Sequence, residues 1–278
     1  MKKLLRAVMV LLLAVFVFVA VVVTIALVDA FGGESPADVA NVTISANGDD
    51  VPAYVAAPRN AVGPSVPAVI LLHEWWGLNH EITEIADELA AEGYLVIAPD
   101  AYGGRTATTV PGALWLRLTV DKANARSRLE VALDYLRDPD GASAEAGLVA
   151  PVDPLRVGAL GFCFGGDLTL WLAQTRAEDL SAMVVYYGGQ TADEDELSPI
   201  APAAPVLGIF GDEDAQIPVE EVEAYEAALY SLGIQNDVVI YEGVGHAFLN
   251  AENLDGRGAA GQAWQRTLSF LAMHVAAE

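Results

Sequence analysis

The sequence predicts an α/β domain with a mostly parallel central sheet, helices on both faces of that sheet, and one N-terminal transmembrane helix in front of it. Short apolar runs alternate with helical patterns from residue 67 onward, which is typical of a parallel sheet covered on both sides. An uncharged apolar run fills residues 7–28 and follows Lys2, Lys3 and Arg6. A third observation is a glycine-bracketed cysteine between an apolar run and a helical pattern, at residues 155–172.

The N-terminal apolar run is long enough to cross a membrane. At about 1.5 Å per residue, residues 7–28 extend roughly 33 Å, which matches the thickness of a bilayer core, about 30 Å. The positive flank predicts a cytoplasmic N-terminus and an exported remainder. The competing interpretation is a signal peptide cleaved near Val28-Asp29-Ala30, which gives a secreted protein. The length of the run and the bulk of Asp29 favour an uncleaved anchor. We therefore predict an anchor or signal segment at residues 1–33 and an α/β domain at residues 34–278.

The composition excludes several classes of partner. Residues 34–278 hold 11 basic and 37 acidic side chains, so a nucleic acid partner is not expected. An acid-rich, lysine-poor composition indicates either a protein adapted to a saline medium or a protein with an ordinary acidic, soluble surface, and the sequence favours the two interpretations equally. Cys163 is the single cysteine, which excludes an internal disulfide and a cysteine-rich metal site. We predict no metal and no cofactor, and the sequence leaves the oligomeric state open.

The order of the remaining elements follows from periodicity and turn residues. An edge hairpin is predicted at residues 41–56, with Asn47-Gly48-Asp49 as its turn. Residues 106–118 are predicted to form a loop or a short helix over the site, and residues 138–154 a connector rich in Pro, Gly and Ala. The predicted strands are 68–72, 94–98, 157–160, 182–187, 206–210 and 238–241. The predicted helices begin near residues 79, 123, 168, 219 and 261.

The stretch LRVGALGFCFGG, residues 155–166, has the form of a nucleophile elbow. Gly161 and Gly165 lie two residues before and two after Cys163, and this bracket allows the sharp, strained turn that presents a reactive side chain. Considered without its neighbours, a lone cysteine is more often a buried apolar filler. The glycine bracket favours the nucleophile.

A thiol nucleophile needs a base, and the base needs an orienting carboxylate. His246 lies in the loop GVGHAF after the strand at 238–241, at the edge where open α/β sheets place their sites. Asp212, Glu213 and Asp214 follow the preceding strand, and spacing alone does not choose among them. His73 ends a strand and could line the pocket. Surface or packing roles are predicted for the two remaining histidines, His80 and His274.

The order of nucleophile, acid and histidine is that of the α/β-hydrolase fold. With the motifs HEWWGLN, GFCFGG, GDEDAQIP and GVGHAF in that order, the chain from about residue 40 resembles the dienelactone hydrolase family. The resemblance implies Cys163 as nucleophile, Asp214 as the acid, His246 as the base, and Glu74 as a glutamate that contacts the resting thiol and helps to activate it. It also implies an oxyanion hole made by the backbone N–H groups of Phe164 and Trp75. The implied reaction is hydrolysis of a carboxylic ester or lactone through a thioester.

The chain departs from the family where substrate is held. The family member that acts on anionic dienelactone has an arginine shortly after the loop histidine, whereas this chain reads His246-Ala247-Phe248-Leu249-Asn250. Arg105 or Arg117 could reach the pocket instead. We therefore expect a neutral small-molecule ester or lactone. The alternatives are a catalytically silent member of the fold that binds a ligand or partner at the cell surface, and, ranked last, a redox-sensing thiol.

Overall fold

The computed structural model describes residues 2–32, 35–46, 49–59, 65–138, 151–201 and 204–276. It contains one eight-stranded sheet with helices on both faces, so the predicted fold class is confirmed. The strands are β1 (Val42–Ala46), β2 (Asp49–Ala56), β3 (Val66–Leu72), β4 (Leu95–Pro99), β5 (Val152–Phe162), β6 (Ala182–Tyr186), β7 (Val206–Gly211) and β8 (Asn236–Tyr241). The helices are α1 (Lys2–Gly32), α2 (His80–Ala91), α3 (Val110–Thr119), α4 (Lys122–Arg137), α5 (Phe164–Arg176), α6 (Glu194–Leu197), α7 (Val219–Ser231) and α8 (Ala259–Leu271).

The strand order is β1-β2-β4-β3-β5-β6-β7-β8. The β1–β2 hairpin runs antiparallel and joins β4 in the same sense, while the six strands from β4 to β8 pair in parallel. β4, β6 and β7 are buried along their whole length, which explains their unbroken apolar sequences. The carboxyl ends of β3, β5, β7 and β8 consequently meet at one edge of the sheet.

Two elements differ from the sequence prediction. β5 begins at Val152, inside the predicted connector, because Val66 pairs with Val152 before the register shifts and Ala68 pairs with Val157. This irregularity accommodates Pro154, which masked the start of the strand. The segment expected to be a loop or short helix forms α3, whose first turn is capped by Thr109. Residues 139–150 of the connector, the turn residues 47–48 and the proposed domain boundary at residues 33–34 lie outside the described residues.

Most of the N-terminal helix α1 projects away from the α/β domain, and only its last turns contact that domain. Arg6–Asp29 is long and apolar enough to span a membrane, and most of its side chains are exposed. Ala26 and Asp29, in its last two turns, are buried, and α1 packs there against α3. This contact brings the end of the apolar helix to the same edge of the sheet as the predicted site.

Candidate active site

Cys163 occupies the turn between β5 and α5 in a strained backbone conformation. Its φ of 52° lies in the left-handed region, which costs a non-glycine residue energy and marks a functional turn. A Cβ at Gly161 would overlap the carbonyl oxygen of Gly165, and a Cβ at Gly165 would overlap that of Leu72. The two glycines therefore allow the turn to close and let α5 press against the end of β3.

The loop after β3 places the N–H of Trp75 and the carboxylate of Glu74 beside the thiol, and the start of α5 adds the N–H of Phe164. The N–H groups of Phe164 and Trp75 hydrogen-bond the Cys163 sulfur. Burial, followed by the negative charge of Glu74, raises the pKa of the Cys163 thiol to about 12 against these two hydrogen bonds. The resting thiol is therefore neutral and would have to lose its proton before it could act as a nucleophile.

Glu74 is itself perturbed. Burial, with a smaller effect from the charge of Glu81, raises the pKa of the Glu74 carboxyl to about 7. His73 holds the backbone at this point, since its Nε2 accepts a hydrogen bond from the N–H of Ala101 at 3.1 Å. Its Nδ1 then carries the proton and donates to the carbonyl of Glu74 at 2.7 Å. His73 is fully buried, so its role is to fix the loop that carries Glu74 and Trp75.

His246, which is half-buried, and Asp214, which is buried, form a pair at the ends of β8 and β7. The Nδ1 of His246 donates to Oδ2 of Asp214 at 2.7 Å. The other oxygen, Oδ1, accepts the N–H groups of Gln216 at 2.8 Å and Ile217 at 3.2 Å, which fixes the carboxylate. Nε2 is left as the acceptor nitrogen. It is buried and has no hydrogen-bond partner among the described residues. This is the tautomer that a general base requires.

The other two acids of the GDEDAQIP loop point elsewhere. Asp212 is exposed, and its Oδ1 accepts the N–H of Gly243 at 2.7 Å, which ties the β7 loop to the β8 loop. Glu213 is exposed as well. Of the three candidates that sequence spacing left open, the structure brings only Asp214 into contact with His246 among the described residues.

Comparisons with known proteins show which family of chains is similar to this one. A family model described as "Dienelactone hydrolase family" matches residues 51–275. Proteins named "Putative carboxymethylenebutenolidase" are 35% identical in Salmonella typhimurium, covering 84% of this chain and 86% of theirs, and 35% identical in Escherichia coli K12, covering 82% and 84%. A crystal structure from Klebsiella pneumoniae, described as a putative dienelactone hydrolase, superposes with a TM-score of 0.68 at 31% identity and covers 83% of this chain and 96% of its own.

The chain belongs to the dienelactone hydrolase family. As a member of that family it is a carboxylic ester hydrolase with the α/β-hydrolase fold. The resemblance read from its motifs is therefore confirmed.

Neither arginine considered as a substrate ligand is unpaired. Arg117 of α3 contacts Oδ2 of Asp167 at 2.5 Å, and its guanidinium lies 4.6 Å from the centre of the Phe164 ring. Arg105 donates from Nε to the carbonyl of Tyr102 at 3.1 Å. Both arginines are therefore engaged in contacts within the protein.

Sequence reasoning missed two side chains of the site. Tyr187 follows β6 with a φ of 35°, its ring centre is 5.1 Å from that of His246, and its hydroxyl donates to the carbonyl of Leu249 at 3.1 Å. Asp167, in the first turn of α5, has its pKa raised by burial despite the opposing charge of Arg117. The position of Tyr187 directly after a buried parallel strand was a usable signal, because that edge carries the site. Asp167 had no such signal.

The two remaining histidines lie away from the site. His80 is the exposed first residue of α2, and the ring of His274 packs 4.6 Å from that of Phe270 near the C-terminus. Among the described residues no group of three or more histidine, cysteine or acidic side chains is arranged to hold a metal ion.

Proposed function

We propose that the protein hydrolyses a neutral carboxylic ester or lactone with Cys163 as nucleophile, His246 as base and Asp214 as the acid that orients it. The observation that carries the proposal is the elbow: a positive-φ cysteine whose sulfur accepts two backbone N–H groups, on the same sheet edge as the His246–Asp214 pair.

The thiol proton leaves first. The carboxylate of Glu74 lies beside the neutral thiol and can act as a base, because its pKa of about 7 leaves it substantially ionised at neutral pH. We propose that Glu74 accepts the proton as substrate displaces the sulfur from the two N–H groups. Glu74 then passes this proton to the free Nε2 of His246, and the thiolate pairs with the imidazolium so formed.

Acyl transfer then proceeds in two steps. The thiolate attacks the carbonyl carbon, and the N–H groups of Phe164 and Trp75 stabilise the oxyanion. The bond to the leaving oxygen breaks, the leaving group takes its proton from His246, and a thioester remains on Cys163. Water, deprotonated by His246, attacks the thioester and releases the acid and the thiol. Asp214 stays ionised and stabilises the imidazolium in both steps.

The charges around the nucleophile support a neutral substrate. Glu74 and Asp167 are acidic, and the nearby Arg117 is already paired with Asp167. An anionic acyl group would approach these two carboxylates beside an arginine whose charge Asp167 already balances. We therefore expect kcat/KM to be higher for p-nitrophenyl acetate than for the p-nitrophenyl monoester of a dicarboxylic acid.

We also propose that α1 is retained as a membrane anchor with the catalytic domain outside the cytoplasm. The carboxylate of Asp29 accepts the N–H and hydroxyl of Thr108, at 3.0 and 2.7 Å, and those of Thr109, at 2.8 and 2.7 Å. Cleavage after Ala30 would remove this carboxylate and leave four donors without their acceptor, which supports retention.

The direct test is turnover of p-nitrophenyl acetate by the wild type and by Cys163→Ala. We expect the variant to fold and to lose activity to the level of the uncatalysed reaction, because alanine offers no nucleophile. Iodoacetamide should inactivate the wild type with one label per chain, since Cys163 is the single cysteine. A folded Cys163→Ala variant with wild-type turnover would overturn the mechanism.

A further inference from the structure

α3 carries an exposed apolar stripe beside the active site. Val110, Leu114 and Leu118 are 58%, 46% and 74% exposed. They are spaced four residues apart and so lie on one side of the helix. The other side is buried through Gly112, Ala113 and Leu116. Three large aliphatic side chains in one exposed row are costly in water and indicate a surface that meets something apolar.

The same helix is fastened to the end of α1. Asp29 bonds to Thr108 and Thr109 at the start of α3, and the close approach requires Gly112, where a Cβ would overlap Oδ2 of Asp29. Ala26, one turn earlier on α1, is 4% exposed. α3 therefore lies alongside the last two turns of α1.

This position fixes the depth of α3 in a membrane. The candidate span, Arg6–Asp29, has 24 residues. At 1.5 Å per residue it extends about 36 Å, a little more than a bilayer core of about 30 Å. The last turns of α1, and α3 beside them, fall at the boundary between headgroups and acyl chains. Any face of α3 that the protein leaves uncovered at that depth meets lipid.

The charge pattern of α3 and its flanks also fits contact with lipid. The chain contains 38 acidic residues, yet residues 101–120 contain none and include Arg105 and Arg117. Residues 7–28 also lack an acidic side chain. A protein with a net charge of −24 approaches anionic headgroups with less repulsion at such an acid-free face.

The site lies next to this face. Ala107 directly precedes Thr108, which binds Asp29, and its N–H donates to the carbonyl of Trp76 at 2.9 Å. Trp76 follows Trp75, whose N–H contacts the nucleophile. We propose that α3 is an interfacial helix whose stripe of Val110, Leu114 and Leu118 contacts the lipid bilayer, so that the site draws on esters dissolved in that bilayer. This proposal rests on the membrane anchoring by α1 proposed above and not on the mechanism at Cys163.

The test uses the full chain in phospholipid vesicles that contain phosphatidylglycerol. In a Cys163→Ser background, which has no other cysteine, single cysteines replace Leu114 or Leu118 and carry an environment-sensitive nitrobenzoxadiazole label. Leu155→Cys is the matched control, since Leu155 is a 76% exposed leucine near the amino end of β5, away from the site edge. Phe16→Cys, in the middle of α1, reports insertion of the anchor.

We expect labels at 114, 118 and 16 to emit at shorter wavelength than the label at 155 and to be quenched by nitroxide lipids. At 114 and 118, a nitroxide near the headgroup should quench more than one at the end of the acyl chain.

Quenching at 16 without quenching at 114 and 118 would overturn the proposal and leave the anchor intact. No quenching at 16 would overturn both. A blue shift at 114 that lipid nitroxides do not affect and that vanishes on dilution in lipid would assign the stripe to a second copy of the chain, and would also overturn it. No turnover is measured, so the hydrolase mechanism is unaffected by any of these results.

Discussion

Glu74 shows how one side chain is kept at a cost to stability. Its pKa is raised to about 7 by burial, so the folded protein holds a proton there that the unfolded chain releases near 4.5. The stability associated with that protonated form is fully present below pH 4.5 and is lost as the pH rises through 7. This cost to stability above pH 7 supports the proposed role of Glu74 as the proton acceptor for Cys163.

Glu74→Gln should therefore exchange activity for stability. Above pH 7 we expect the free energy of unfolding of the variant to exceed that of wild type by about 1–3 kcal/mol, because glutamine has no charge to desolvate. At pH 4 we expect the two free energies of unfolding to be equal. Its kcat/KM should fall by about 10²–10⁴, the usual worth of a proton acceptor. Thermal unfolding at pH 4 and 8, with kinetics at pH 8, measures both.

Glu221→Gln, at an exposed acid of α7, is the control and should change neither quantity. A Glu74→Gln enzyme that is less stable than wild type at pH 8, or as active, would refute this account of Glu74.

Individual residues differ in how far the sequence predicted them. Cys163 and His246 could be found because glycine spacing and position after a strand are local signals. The choice of Asp214 over Asp212 and Glu213 came from the resemblance, since all three share one loop. The contacts that distinguish them, with His246 and with Gly243, join segments about thirty residues apart.

At the scale of elements, the contact between α1 and α3 is the feature that the sequence concealed. The sequence analysis considered Asp29 only as a bulky residue within a possible cleavage site, whereas in the structure its carboxylate accepts hydrogen bonds at the start of α3. The strands were predicted well because β4, β6 and β7 are buried on both faces and read as unbroken apolar runs. β5 was shortened in the prediction because Pro154 and Asp153 broke that run.

Gly112→Ala tests the α1–α3 contact. Alanine favours a helix over glycine by about 1 kcal/mol, so an independent α3 would be stabilised. In the folded chain the new Cβ would overlap Asp29, and we expect α3 to separate from α1 and its amides to exchange hydrogen faster. Gly258→Ala, whose Cβ meets open space, is the matched control. Unchanged or slower exchange in α3 of Gly112→Ala would contradict the contact.

At the scale of the whole molecule, the net charge of −24 sets the response to salt. Self-repulsion among acidic side chains weakens as the Debye length falls from about 10 Å at 0.1 M salt to about 3 Å at 1 M. We expect the unfolding temperature to rise steeply over this range, measured in sodium chloride against sucrose of equal osmolality. A curve that is flat in salt would show that the acidic surface carries no such strain.

In the proposed mechanism, the ester passes through a thioester on Cys163. The most direct measurement is the mass of the intact protein quenched in acid during turnover of p-nitrophenyl acetate, with His246→Ala to slow the hydrolysis of the intermediate. We predict a gain of one acetyl group, located on the peptide that contains Cys163, removed by neutral hydroxylamine and absent from Cys163→Ala. Turnover with no acetyl group on Cys163, or an acetyl group that persists in Cys163→Ala, would contradict it.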